Sequence, residues 1–139
     1  MYDQVINELR LSKKIGPDDP VIVCMDTPPM AAGILGGAVG ALIASTRSGH
    51  YIMAADKDGL TTFDLDKKTG TYLGTGARIE KKDIVKFNFG GALGAFNIVV
   101  KTASDKHAYS SGKKFRKYVQ EEQVAKMKEL FKTFYADKM

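Results

Sequence analysis

Apolar residues in the first 15 positions recur at the spacing of one helical face: Tyr2, Val5, Ile6 and Leu9. The spacing predicts a short amphipathic helix. Lys13 and Lys14 suit the negative end of its dipole, and Gly16-Pro17 stops it. Val21-Ile22-Val23-Cys24-Met25 then runs apolar without interruption and predicts a strand. Met30 to Ala44 contains no charged residue. After it the texture becomes that of β-structure. His50 to Ala55 and Leu60 to Leu65 flank an Asp58-Gly59 hairpin turn, with Thr61, Phe63 and Leu65 on one face. Thr71 to Glu80 makes a third run. Val85, Phe87 and Phe89 alternate with Lys86 and Asn88, a half-buried strand. Phe96, Ile98 and Val100 share a face, and His107 to Tyr109 is a short last strand. From Ser111 the period becomes helical. Phe115, Val119, Met127, Phe131 and Phe134, joined by Tyr118, Val124 and Leu130, predict one long amphipathic helix over 111–136 that needs a surface to cover.

Strands at regular spacing followed by one helix predict a mainly β (α+β) fold. Its expected form is a seven-stranded barrel, or two orthogonal antiparallel sheets, capped by a C-terminal helix. An extra N-terminal helix spans 1–15, and an apolar Gly-rich insertion spans 30–45 between the first two strands. The length of 139 residues, with no linker or repeat, fits a single domain over 1–139. Hydrophobic residues at 44% and charged ones at 27% read as globular, which excludes a disordered or fibrous chain. The start of the chain lacks the pattern of a signal peptide. Cys24 is the single cysteine, so no internal disulfide is available. A cytoplasmic location follows as the expectation.

The net charge of +5 lies wholly at one end. Residues 1–100 hold 11 Lys and Arg against 11 Asp and Glu, whereas residues 101–139 hold 10 against 5. Anything drawn by charge should go to the C-terminal region.

The stretch from Tyr51 to Asp66, an aromatic strand, a turn and a second strand with Phe63, resembles bacterial pleckstrin-homology-like (PH-like) domains. Arg78-Ile79-Glu80-Lys81-Lys82-Asp83-Ile84 is similar to a later strand of that family, and Phe96 to Thr102 and the closing helix from Lys114 complete the order. The resemblance implies seven strands and a C-terminal helix that plugs one end. Relatives that bind inositol phosphates carry Lys and Arg in the loop between strands 1 and 2. Here that loop, Pro28 to Gly49, has Arg47 as its one basic residue, and the closing helix has no tryptophan.

Three features could carry chemistry. Gly33 with Gly37, and Gly36 with Gly40, give two interleaved G-x-x-x-G spacings, which let helix backbones approach closely; Leu35 and Val39 lie between them. Fifteen residues rise about 22 Å as a helix, short of a bilayer core of about 30 Å. The segment therefore reads as packing on the domain or on another copy, as partial insertion into a membrane surface, or as a flap over a cavity. Lys113, Lys114, Arg116 and Lys117 form the densest basic cluster, able to meet phosphate or an anionic membrane. As a helix start it would be unfavourable, four cations at the positive end of the dipole.

Other groups read blandly. His50 and His107 lack metal-ligand neighbours and read as strand-end residues. Cys24 reads as a buried, inert thiol. Asp64 to Gly70 is superficially a calcium loop, but Lys68 stands where an oxygen ligand is needed and Thr69 where glycine is. No nucleophile–base pair, metal set or phosphate loop is present, so the expectation is no enzyme, no cofactor and no metal. The expected function is a non-enzymatic PH-like binding or assembly module, partnered by another protein or by itself as a homo-oligomer. The alternative is a peripheral protein at the inner face of the membrane, using the apolar segment and the basic cluster. Nucleic acid is not the expected partner.

Overall fold

The computed structural model describes residues 2–26, 49–92 and 95–139. Helix α1 (Tyr2–Leu11) is followed by strands β1 (Val21–Asp26), β2 (His50–Asp56), β3 (Gly59–Leu65), β4 (Tyr72–Glu80), β5 (Ile84–Ala92), β6 (Ala95–Thr102) and β7 (Lys106–Gly112). A hairpin of β8 (Lys114–Phe115) and β9 (Tyr118–Val119) precedes helix α2 (Glu121–Phe134). The insertion over 30–45, with Gly33, Leu35, Gly36, Gly37, Val39 and Gly40, lies outside the described residues.

The seven long strands pair antiparallel in the order β4-β3-β2-β1-β7-β6-β5. Among the described residues no pairing joins β4 to β5, so the ladder has two ends and barrel closure is not shown. What stands is a mainly β fold, a seven-stranded antiparallel sheet with two helices, of the β-sandwich or PH-like kind.

The sheet has apolar material on both faces of its central strands. Ile22 and Cys24 of β1, Met53 and Ala55 of β2 and Leu60 of β3 join Ile84, Phe87, Ile98 and Val100 around Val124, Met127 and Phe131 of α2. The alternate residues Val21, Val23, Ile52, Ala54, Phe63 and Leu65 face the other way, onto Tyr2, Val5, Ile6 and Leu9 of α1. Period-2 alternation is invisible in β1 because neither face meets water, and this is why its sequence is an unbroken apolar run.

Helix α1 ends as the dipole reading required, but the stop is at Lys13, whose φ of 62° takes the chain out of the helix. The Lys14 N–H then bonds the Leu9 carbonyl at 3.0 Å. Arg10 ties down the following loop through the carbonyls of Gly16, Pro17 and Asp19.

Three expectations are corrected. The closing helix begins at Glu121 and not at 111. Phe115, Tyr118 and Val119 copy helical spacing, yet Arg116 has φ 56°, which no helix accommodates, and Phe115 is buried in the core on the α1 side. Starting at Glu121 and Glu122 also places acids, not cations, at the positive end of the dipole. Second, Phe134 is 42% exposed, and Tyr135 takes the buried place beyond the helix. Third, Val85 is 61% exposed, because the register of β5 against β6 slips between Ile84 and Lys86. The extra residue puts Ile84 and Phe87 inward and sends Val85 out.

Among the described residues β1 pairs with β7 at two positions, Met25 to Ser110 and Asp26 to Tyr109. Where the strands diverge, Gln120 at the cap of α2 and Gln123 in its first turn supply the missing partners. Gln120 Oε1 accepts the Val23 N–H at 2.7 Å, and its Nε2 donates to the carbonyls of Val23 and Gly112 and to Ser111 Oγ. Gln123 Oε1 accepts the Val21 N–H at 3.0 Å. A buried backbone N–H without a partner costs about 1–3 kcal/mol, so these two amides are what allows the sheet to open there.

Candidate functional site

The basic cluster is a hairpin, not a helix. Lys114 pairs with Val119 and Phe115 with Tyr118, and Arg116-Lys117 make the turn. Phe115 anchors it, edge-on to Tyr2 at 6.0 Å and to His50 at 5.3 Å between ring centroids. Tyr118 packs on Tyr2 at 5.4 Å and donates its hydroxyl to Asp3 of α1 at 2.9 Å. Arg116 Nη1 donates to the carbonyl of Lys67, at 3.0 Å, in the β3–β4 turn. With Phe115 pointed inward, strand alternation sends Lys114 outward.

The structure thereby splits the four cations. Arg116 and Lys117 line a concavity of about 430 Å³ with Tyr2 and Tyr118. Lys113 and Lys114 line another, of about 460 Å³, with Val119, Ser111 and Glu121. Among the described residues Lys113 makes an exposed ion pair with Glu121 at 3.6 Å, and none engages Lys114, Arg116 or Lys117. Between exposed side chains such a pair contributes little. Val119 is 61% exposed beside these cations.

The same hydrogen bond brings Lys67 and Lys68 to the hairpin. These two lie 49 residues or so from it in the chain, and no spacing in the sequence couples a turn to a later hairpin. Sequence reasoning therefore found the basic cluster and missed its neighbours.

A third concavity, of about 700 Å³, lies at the far end of β4 and is lined by Asp58, Arg78, Glu80, Lys81, Lys82, Asp137 and Lys138. Its charges are largely satisfied internally. Arg78 pairs with Asp56 at 2.8 Å and Glu80 at 3.3 Å, and Lys81 with Asp137 at 3.2 Å. Nearby, Tyr135 donates its hydroxyl to the Asp56 carbonyl at 2.8 Å.

Cys24 is fully buried, and burial followed by the Asp26 charge raises its thiol far above the ordinary range. It is held as the neutral, unreactive form. Among the described residues no three His, Cys, Asp or Glu side chains gather so as to hold a metal, and no helix is long and apolar enough to cross a membrane.

No family model matches the chain, and no curated protein matches it. Among solved structures it is similar to the hSac2 domain from human phosphoinositide phosphatase Sac2, with a TM-score of 0.50. The sequence identity is 10%, over 98% of this chain and 85% of that one. This supports a fold of the PH-like, β-sandwich type. It also corrects the expectation of no enzyme, since a domain of this fold belongs to a phosphatase. A missing motif was a poor warrant, because a fold does not dictate which chemistry accompanies it. At that identity the likeness shows the fold alone and does not make this chain an enzyme.

Proposed function

We propose that this chain is a PH-like binding module that docks on the anionic surface of a membrane through its β8–β9 hairpin. The observation that carries the reading is the set Lys114, Arg116 and Lys117, free of ion pairs among the described residues and mounted on a hairpin anchored by Phe115. A solvated face of a soluble domain intersperses both signs, whereas this hairpin turns one sign outward. The exposed Val119 among these cations favours a lipid interface over nucleic acid, since headgroup-level contact rewards apolar and basic side chains together. Placement among the bacterial PH-like domains rests on the strand–turn–strand from Tyr51 to Asp66 and on Arg78 to Ile84.

Flotation with vesicles containing phosphatidylserine, against vesicles of phosphatidylcholine alone, tests the reading. Each cation near an anionic surface contributes about 1 kcal/mol, so Lys114→Glu with Lys117→Glu should weaken binding at least about 30-fold at low salt. Binding should also fade as salt rises. No binding at low salt, or binding that both reversals leave intact, overturns it; equal affinity for an RNA would show a nonspecific polyanion site instead.

A second reading, association with a protein or another copy, is favoured by the two ends of the sheet. β4 and β5 are nine-residue edges that expose Leu73 and Val85. Unpaired edges can accept a further strand.

A further inference from the structure

His50 begins β2 with only 7% of its surface exposed, its ring perpendicular to that of Phe115. Among the described residues its Nδ1 has no hydrogen-bond partner. Across the sheet it stands opposite Met25 of β1 and Leu65 of β3, whose side chains offer nothing better than a weak thioether acceptor. The charges acting on it are both positive: Arg116 of the hairpin and Lys67 of the β3–β4 turn. Carboxylates on the surrounding elements are engaged elsewhere. Asp26 accepts from Tyr51, Asp64 from Thr75, Asp3 from Tyr118, and Asp66 from the backbone of Lys68 and Thr69.

A neutral imidazole survives in this place with one unmet acceptor. An imidazolium must donate from both nitrogens, and here one donor would be buried without an acceptor, beside two cations. Burial first, then Arg116, then Lys67, hold His50 below its ordinary value.

We propose that His50 is a proton-operated latch for the basic hairpin. Neutral, it lets Phe115 seat and keeps Arg116 against the β3–β4 turn; protonated, it unseats Phe115 and frees the hairpin. That the freed hairpin reaches an anionic bilayer rests on the function proposed above; the latch itself does not. The closed form binds the proton more weakly than the open one, whose imidazole titrates near the ordinary value of about 6.5. The closed form is therefore fully favoured above that pH. It loses ground, by up to about ten-fold per pH unit, as pH falls through the closed-form value.

Hydrogen exchange of the full chain at pH 7.5, 6.5 and 5.5, corrected for intrinsic rates, reads the latch directly. Protection over 113–120 should fall, by up to about ten-fold, between pH 7.5 and 5.5 while β6 stays unchanged, and His50→Phe should abolish the difference. Hairpin protection that ignores pH, or that follows pH equally in His50→Phe, overturns the latch. Should that variant fail to fold, Arg116→Gln removes one of the two cations. The His50 imidazole, told apart by NMR from that of His107, should then titrate at higher pH, and an unmoved titration counts against the latch. Flotation on phosphatidylserine vesicles at pH 7.5 and 5.5 separates the two proposals. A hairpin that opens in acid without binding vesicles overturns the membrane reading and supports the latch; vesicle binding by a hairpin that never opens does the reverse.

Discussion

Gln120 shows most plainly how much one side chain can hold. It is buried, and it closes the gap between β1 and β7 with bonds to Val23, Ser111 and Gly112. Replacing it with alanine leaves the Val23 N–H without a partner, whereas the Val23 carbonyl keeps its bond from Ser111 Oγ. Urea denaturation of Gln120→Ala should therefore show a loss of about 1–3 kcal/mol, the cost of one orphaned buried donor and its lost neighbours. Nothing in the sequence marks this residue. A glutamine beside two glutamates reads as a polar helix start, and only the splayed strands reveal what it satisfies. Gly76 is similar: a methyl group there would stand 2.2 Å from the Thr62 carbonyl, a closeness that strand pairing alone discloses.

At the scale of elements, strong patterns were legible and their ends were not. The buried face of α1 and the inward residues of β6 lie where periodicity placed them. The start of α2 did not, because Phe115 belongs to one core and Val124, Met127 and Phe131 to the other, although all share a helical spacing. Phe131 is fully buried against Phe87 and Tyr135, with centroids at 4.6 and 5.2 Å. Phe131→Ala should cost about 3–5 kcal/mol in the same denaturation experiment. Deleting the chain from Glu121 onward uncovers Ile22, Phe87 and Ile98 together. That truncation should lose cooperative thermal unfolding; a transition at the full-length temperature would make α2 an appendage. The basic cluster was legible as composition, but its division into two concavities and its union with Lys67 and Lys68 depend on the hairpin turn at Arg116.

For the whole molecule, the decisive fact is that β1, β2 and β3 serve two cores at once. A sequence reading expects one interior and one helix to cover it, so α1 looked like an addition when it covers a full face. Sharing a strand should couple the two sides. In a double-mutant cycle, Ile22→Val and Val23→Ala should depart from additivity by about 0.5 kcal/mol or more, whereas Ile98→Val paired with Leu9→Ala should add. The arrangement also sets how this chain tolerates drift. Neighbouring codons in β1 answer to different masters: Ile22 to the closing helix, Val23 to the layer that seats α1 and the basic hairpin. Neither can be exchanged for a polar residue by turning it to water, since no water lies on either side. Variation in a lineage should thus be quietest along β1, and substitutions on one face should travel with compensations on the far side of the sheet.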